Sequence, residues 1–296
     1  MLQLHAPAKL NLGLRILGRR PDGYHEIETV LVPLRLFDRI EIEREPGAGL
    51  ALHLSGPGSA ELPRDRSNLA VRAAERLCTE LGLAPELRLR LMKGIPVAAG
   101  LGGGSSDAAA VLLGIEQLSG KRLDAPARAA LALELGADVP FFLDPRPSLA
   151  RGVGDRLEPL AGVPEMWWVL VAFRFGVATA EAYRAASTEL TLPRQGSSIA
   201  ALLGASGLTV SPPNDLEAVV ARRHPQIGEA RRRLEEAGAI ATGMSGSGPT
   251  VFGRFPDRGA AEAAAGRVRL PEGAVTMTVS SPGSATRDWG WGVAKW

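Results

Sequence analysis

The sequence predicts an α+β fold with two domains. Several short segments alternate apolar and polar residues, as half-buried strands do. Other segments repeat apolar residues at helical spacing and are bounded by capping residues and glycines. These strands and helices do not alternate strictly along the chain, which argues against a doubly wound parallel sheet. The length of 296 residues is enough for two domains of ordinary size.

The first half of the chain is predicted to be rich in strands. The strands are expected over residues 2–9, 12–17, 27–32, 39–43, 50–54 and 87–91. Helices are expected over 68–80, over about 106–117, and from 124 to 136. Asn68 is a suitable cap for the first helix, while Asp124 with Pro126 opens the last and Gly136 closes it.

A second domain is predicted after a proline- and glycine-rich stretch at residues 144–164, which is typical of a connection between domains. We therefore expect an N-terminal domain over 1–152 and a C-terminal domain over 153–296. Its predicted strands cover 167–173, 239–242, 250–255 and 275–279. Its predicted helices cover 180–187, with Thr179 as cap, and 215–223, 225–237 and 259–268.

Composition excludes several classes of protein. Hydrophobic residues make up 45% and charged residues 22% of the chain, which excludes a disordered protein. With 34 basic and 32 acidic residues the net charge is +2, so we expect no binding of nucleic acid and none of a membrane. The N-terminal residues lack the pattern of a secretory signal. The single cysteine, Cys78, allows no internal disulfide, so we expect a cytoplasmic protein.

The segment PVAAGLGGGSSD, residues 96–107, carries the strongest chemical signal. It lies between a predicted strand and a predicted helix, and its four glycines are Gly100, Gly102, Gly103 and Gly104. Glycine lets another group approach the backbone closely, and N–H groups at a helix N-terminus bind phosphate. Ser105 and Ser106 are suitable caps for that helix. The segment matches neither a P-loop nor a dinucleotide fingerprint, and a flexible connector is the alternative interpretation.

A second glycine-rich segment, TGMSGSGPT at residues 242–250, is also suited to an anion, with a plain hairpin turn as the alternative. Glycine-rich loops in both domains favour a ligand bound between the domains. Only four of the 34 basic residues are lysine, so Lys9 is unusual, and on a regular strand it shares a face with Asn11. An exposed strand lysine is the alternative.

Two further segments offer polar groups. The turn PDGYH presents Tyr24 and His25, an aromatic ring beside a hydrogen-bonding ring, which suits a flat heterocycle; the alternative is a hairpin with an idle histidine. Asp138 precedes Val139 and Pro140, a sequence that also fits an aspartate capping a short turn.

In combination these segments resemble the GHMP kinase superfamily. The segments that carry the resemblance run in order over about residues 1–255 and read PAKLNLGLRILGRRPDGYHEIETV, SNLAVRAAERL, GLGGGSSDAAAVL, GADVPFFL, NDLE and TGMSGSGPTVFG. The glycine loop marks the superfamily. Lys-Leu-Asn with Asp-Gly-Tyr-His, and Gly-Ala-Asp-Val-Pro-Phe, are most similar to the branch that phosphorylates 4-diphosphocytidyl-2-C-methyl-D-erythritol in non-mevalonate isoprenoid precursor biosynthesis.

The resemblance implies an N-terminal domain like ribosomal protein S5 domain 2 and a ferredoxin-like C-terminal domain, with the site between them. It implies Lys9 and Asp138 as the catalytic pair, Asp138 accepting the proton of the 2-hydroxyl and Lys9 offsetting charge. The residues implied to bind ATP are Pro96, Val97, Ala98, Ala99, Gly100, Leu101, Gly102, Gly103, Gly104, Ser105, Ser106 and Asp107. Those implied to bind the substrate are Asn11, Tyr24, His25, Asp138, Thr179 and Tyr183.

ATP is then the co-substrate, with Mg²⁺ on its phosphates and no evident metal ligand set beyond Ser105. The expected partner is a small cytidine diphosphate-linked molecule, and the chain is expected to be a monomer or a weak homodimer. The alternatives are another GHMP small-molecule kinase, of homoserine or mevalonate type, a catalytically silent nucleotide-binding homologue, or an RNA-associated protein. The near-neutral charge weighs against the last.

Overall fold

The computed structural model describes residues 1–189, 198–270, 273–286 and 292–293. The strands in chain order are β1 (Leu2–Arg19), β2 (His25–Arg44), β3 (Leu50–Ser55), β4 (Leu87–Met92), β5 (Ser148–Gly152), β6 (Arg156–Pro159), β7 (Met166–Phe173), β8 (Leu203–Gly204), β9 (Gly207–Leu208), β10 (Ala241–Met244), β11 (Val251–Phe255), β12 (Ala274–Ser281) and β13 (Gly292–Val293). The helices are α1 (Leu69–Glu80), α2 (Gly103–Ser119), α3 (Ala125–Leu135), α4 (Val139–Leu143), α5 (Thr179–Glu189), α6 (Glu217–Arg223), α7 (Pro225–Glu236) and α8 (Arg258–Arg267).

Two sheets and their helices confirm the α+β class. In the described part of the chain the larger sheet has the order β13-β1-β2-β4-β3, with β5 paired to β2 and β6 paired to β5. Its pairs are antiparallel except for β3 with β4. The smaller sheet is antiparallel, with the order β10-β11-β7-β12. Its interleaved order is that of a ferredoxin-like domain.

The predicted separation of the first 44 residues into four strands is wrong, because β1 and β2 each run without interruption. Leu10 and Asn11, left between two predicted strands, are paired with Val32 and Leu31. Register shifts in the β1–β2 pair bend the strands and disturb the polar–apolar alternation that sequence reasoning uses. At one of these shifts Gly13 has a φ of +78°, and a Cβ there would lie 2.7 Å from the Pro213 carbonyl oxygen.

Strand β7 is buried on both faces and joins two hydrophobic cores. Trp168, Leu170 and Ala172 point towards apolar residues of β1 and β2. The alternate residues, Val169 and Val171, point towards α6, α7 and α8. The predicted strand 167–173 is therefore confirmed, and it explains why the two sheets share one interior. A third core lies under α1 and α2, where the small side chains of α2 let it sit close to the larger sheet.

Helix ends were predicted well wherever a local side chain caps them. The Asn68 side chain accepts a hydrogen bond from the Ala70 N–H (3.0 Å), and the Asp124 side chain accepts one from the Ala127 N–H (2.8 Å). Gly136 ends α3 as predicted. Thr179 is the first residue of α5 rather than the residue before it.

Helix α2 begins earlier than the sequence indicated. Gly102, with a φ of +75°, precedes its first residue, Gly103, and no side chain caps this end. The prediction that Ser105 or Ser106 caps the helix is wrong, because both lie inside its first turn. The positive φ that only glycine adopts easily turns the chain into the helix, so a serine cap is not needed.

The chain crosses from the larger to the smaller sheet between β6 and β7. The predicted division after residue 152 falls in the turn between β5 and β6, and it stays a prediction. Among the described residues, no helix has the length and apolar character needed to cross a membrane.

Candidate functional site at the junction of two glycine-rich loops

Two cavities meet where the larger and smaller sheets face each other. The larger cavity, about 850 Å³, lies between β1, β2, α5 and the two glycine-rich loops. The smaller, about 390 Å³, lies over the first glycine loop and the start of α1. Gly100, Gly102 and Ser105 line both cavities. A ligand in one cavity would therefore be adjacent to a ligand in the other.

The residues predicted for the site from sequence are divided between these cavities. The larger cavity is lined by Lys9, Asn11, Tyr24, His25, Asp138, Thr179 and Tyr183. The smaller cavity is lined by Pro96, Val97, Ala98, Ala99, Gly100, Leu101, Gly102, Gly103, Gly104, Ser105 and Asp107. Ser106 lines neither, and its buried hydroxyl has no hydrogen-bond partner among the described residues.

Lys9, Asn11 and Asp138 form the charged end of the larger cavity. The Lys9 ammonium donates to the Asn11 Oδ1 atom and lies 3.6 Å from Asp138 Oδ2. Lys9 is buried, whereas the Asp138 side chain is 40% exposed and faces the cavity. Asp138 precedes α4, but its side chain does not cap that helix. Its carboxylate is thus available to accept a proton from a bound molecule.

Asn11 is held from three sides. Its side-chain N–H donates to Thr29 Oγ1 (3.1 Å), and the Thr29 hydroxyl donates to the Gly13 carbonyl oxygen (2.6 Å). Its backbone N–H donates to Ser245 Oγ (3.1 Å), in the second glycine-rich loop. These bonds turn the Asn11 oxygen towards Lys9. Thr29 was missed because a threonine in an apolar strand carries no signal of function.

The two glycine-rich loops touch through their backbones. A Cβ on Gly100 would lie 2.4 Å from the Gly248 carbonyl oxygen, and a Cβ on Gly246 would lie 2.9 Å from Asn11 Oδ1. The Thr250 hydroxyl donates to the Ala99 carbonyl oxygen (2.7 Å). Side chains at these glycines would push the loops apart, so here the glycines serve close approach.

Three rings, Tyr24, His25 and Tyr183, also line the larger cavity, and the part that they line is called the ring end below. His25 and Tyr183 stack with centroids 5.2 Å apart, while the Tyr24 side chain is largely exposed nearby. Burial raises the pKa of Tyr183, and the charge of Asp138 adds to the effect. Burial lowers the pKa of His25, as does the charge of Arg19. Both rings are therefore uncharged at neutral pH, and the imidazole keeps one nitrogen as an acceptor.

Thr179 links α5 to the second glycine-rich loop. Its Oγ1 atom lies 2.9 Å from Ser247 Oγ, and either hydroxyl can donate. Asn214, in the predicted NDLE segment, donates to the carbonyl oxygens of Met244 and Gly246, each at 2.8 Å. The second loop is therefore anchored to α5 and to the segment before α6.

Beneath the first glycine loop lies a buried charge cluster that sequence reasoning did not identify. The Lys93 ammonium pairs with Asp38 and with Asp107 Oδ2 (2.7 Å), and all three side chains are almost fully buried. Asp38 Oδ1 also accepts from the N–H groups of Gly94 (2.7 Å) and Ile95 (2.9 Å). A Cβ on Gly103 would lie 3.3 Å from the Lys93 nitrogen. The rarity of lysine in this chain was the one available signal.

The charges in this cluster do not balance. Burial by itself lowers the pKa of Lys93, but Asp107 and Asp38 outweigh it and hold that pKa above its ordinary value. Burial raises the pKa of Asp107 well above its ordinary value, against the opposing effect of Lys93. Its Oδ1 atom has no partner among the described residues. A proton on Asp107 would balance one ammonium against one carboxylate.

Comparison with known proteins matches segments in both halves of the chain to the domains of one family. The GHMP kinases N terminal domain matches residues 68–144, and the GHMP kinases C terminal domain matches residues 191–271. A 4-diphosphocytidyl-2-C-methyl-D-erythritol kinase of Pelotomaculum thermopropionicum is 41% identical over 278 residues, 92% of this chain and 96% of that protein. A crystal structure of 4-(cytidine 5′-diphospho)-2C-methyl-D-erythritol kinase has a TM-score of 0.80 and 38% identity, covering 95% of this chain and 100% of that one.

A more distant structure shows likeness of fold alone. L. major mevalonate kinase in complex with R-mevalonate has a TM-score of 0.72 at 14% identity, covering 97% of each chain. The two chains thus share a fold, and a shared fold does not by itself identify a substrate.

The buried cluster predicts a large stability effect. Lys93→Met should lower the free energy of unfolding by about 3–5 kcal/mol, because it leaves two buried carboxylates without their cation. Urea denaturation would measure this. Lys121→Met is the matched control, because Lys121 is exposed and its ammonium donates to the Leu81 carbonyl oxygen rather than to a buried carboxylate. This substitution should cost about 1 kcal/mol or less. Equal losses of unfolding free energy in the two variants would contradict a stabilising role for Lys93 in the buried cluster.

Proposed function

The chain belongs to the GHMP kinase family, whose members are small-molecule kinases that use ATP, and we propose that it phosphorylates the 2-hydroxyl of 4-diphosphocytidyl-2-C-methyl-D-erythritol. Relatives that are 41% and 38% identical to this chain are named as kinases of this compound. The observation that carries the proposal is the layout of the larger cavity. Uncharged rings and the Lys9–Asp138 pair line this one cavity, and Gly100 and Gly102 of the first glycine-rich loop line it too.

ATP would occupy the smaller cavity. Gly100 to Gly104 and the first turn of α2 offer backbone N–H groups at a helix N-terminus, where phosphate is favoured by both hydrogen bonds and the helix dipole. Gly104 is exposed to this cavity, and a Cβ there would meet only Leu69, at 3.7 Å. A phosphate can therefore approach the backbone closely at this position.

The residues at the cavity junction also fit a Mg²⁺ ion carried by the ATP phosphates. Such an ion prefers oxygen ligands and usually keeps several waters, so it needs few protein groups. Ser105 lines both cavities and is the hydroxyl in position to contribute, and the described residues hold no cluster of three acidic, histidine or cysteine side chains. Bound there, the ion would neutralise charge on the phosphates.

The transfer itself would depend on position and charge. Phosphoryl transfer requires little covalent chemistry from the protein. Its rate therefore depends mainly on how well the alcohol is aligned with the terminal phosphate. Asp138 would accept the proton of the hydroxyl as the new bond forms. Lys9, fixed by Asn11, would offset negative charge on the attacking oxygen.

The ring end of the cavity would bind the cytosine base. Tyr183 is held against His25, so a base can stack on the exposed side of this pair or against Tyr24. The neutral imidazole of His25 can exchange hydrogen bonds with the base edge. Homoserine and mevalonate carry no base, so a kinase for either would have no use for these rings.

One assay separates this proposal from its alternatives. ADP release should be rapid with the cytidylyl substrate and slow with homoserine and with mevalonate. Preference for either of the small alcohols would instead favour a sister kinase. ATP binding with no ADP release from any alcohol would favour a catalytically silent nucleotide-binding homologue.

Asp138→Asn tests the proton acceptor. We expect kcat to fall by about 10²–10⁴-fold with the KM for ATP unchanged, because the amide cannot accept the proton but fills the same space. Steady-state kinetics would measure both constants. Asp144→Asn, an exposed aspartate that follows α4 and pairs with Arg146, is the control and should retain full activity. A kcat for Asp138→Asn within tenfold of wild type would remove Asp138 as the base.

Gly104→Val tests whether the first glycine-rich loop binds the phosphates of ATP. The side chain would fill the cavity without striking the protein, so the KM for ATP should rise by about tenfold or more, equivalent to about 1.4 kcal/mol, while the melting temperature changes little. Gly228→Val is a suitable control, because Gly228 lies in α7 with open space around it and lines neither cavity. If the two variants have equal KM values for ATP, the first glycine-rich loop does not bind the ATP phosphates.

A further inference from the structure

Two arginines line the larger cavity without a part in the mechanism above. Arg19 is the last residue of β1 and pairs directly with His25 of β2. Arg184 follows Tyr183 on α5. Both arginines therefore line the same cavity as the stacked rings of His25 and Tyr183. Arg19 belongs to the larger sheet, whereas Arg184 lies on a helix that follows the first strand of the smaller sheet.

The charges of these arginines are unused within the protein. Both side chains are exposed, and neither forms an ion pair or side-chain hydrogen bond with any residue in the described part of the chain. About half of the arginines in the described part of the chain pair with a glutamate or an aspartate, so an unpaired surface arginine is ordinary. Two unpaired arginines that line one cavity nevertheless concentrate positive charge where a ligand binds.

The acidic groups of the cavity are already neutralised. Asp22 accepts a hydrogen bond from Arg20 Nε (3.0 Å) and another from the Tyr24 N–H (3.1 Å). Asp138 lies 3.6 Å from the Lys9 ammonium. His25 and Tyr183, which also line the cavity, are uncharged at neutral pH because burial lowers the pKa of the first and raises that of the second. The ring end of the cavity therefore carries two uncompensated guanidinium groups and favours an anion.

We infer that Arg19 and Arg184 bind the diphosphate of a nucleoside diphosphate whose base lies on the His25–Tyr183 rings. The inference rests on the proposed function, in which the substrate carries a diphosphate between its base and its reacting alcohol. Guanidinium groups bind phosphate oxygens through paired N–H donors, which fix orientation as well as charge. A diphosphate bound by both arginines would contact β1 and α5 together.

Cytidine and cytidine 5′-diphosphate (CDP) are the probes that isolate this contact. Isothermal titration would compare their dissociation constants for wild type, for the Arg19→Gln/Arg184→Gln double variant and for Arg122→Gln. Arg122 is the control because it is exposed, has no ion pair among the described residues and follows α2 at the end far from the loop. A melting curve for each variant checks that the fold is intact.

The expected result is a selective loss. Wild type and Arg122→Gln should bind CDP about tenfold or more tightly than cytidine, and the preference should shrink as salt is added. The double variant should bind both ligands with nearly equal affinity, with its cytidine affinity unchanged. Arg184→Lys should retain part of the preference, because lysine keeps the charge but not the paired donors.

Other outcomes overturn the inference in distinguishable ways. If the double variant keeps the wild-type preference for CDP, the arginines do not bind the diphosphate. The same follows if wild type binds CDP and cytidine equally. In both cases the proposed site for the base is not contradicted. If wild type binds neither ligand while ATP still binds, the proposed substrate is wrong and the inference fails with it.

Discussion

The site depends on the direct backbone contact between its two glycine-rich loops. With no side chain at Gly100, the first loop lies against the Gly248 carbonyl oxygen of the second. This contact brings residues from distant parts of the chain into one cavity, since Ser245 reaches the Asn11 backbone and Thr250 reaches Ala99. The arrangement of the candidate site thus depends on how closely the two loops approach each other, and glycines allow that approach.

Two buried lysines serve this geometry in different ways. Lys93, directly after β4, lies under the first loop and joins β2 to α2 through Asp38 and Asp107. Lys9 lies at the cavity wall and is oriented by Asn11. A compact ammonium suits both positions, since a planar guanidinium is longer and would not fit among groups this close. This gives a physical reason for lysine at these positions in a chain that otherwise favours arginine.

The sequence predicted those features of the fold that local chemistry decides. Asn68 and Asp124 cap their helices through hydrogen bonds to residues two or three positions away, so their role can be predicted from the neighbouring residues in the sequence. The long strands β1 and β2 were divided wrongly because their bulges depend on partners elsewhere, such as Pro213 against Gly13. The serine caps were predicted wrongly because a left-handed glycine can start a helix without a side-chain acceptor.

Prediction of the candidate site was limited in the same way, because some of its polar groups become neighbours only when the chain folds. Lys9, Asp138 and the two tyrosines were found through motif resemblance, and the structure brings them to one cavity. The Lys93 cluster was missed because its three members lie in separate elements and only folding makes them neighbours. Burial raises the pKa of Asp107, and a proton on that carboxyl group would let Asp38 and Asp107 both stay buried beside one lysine, under the loop where phosphate would bind.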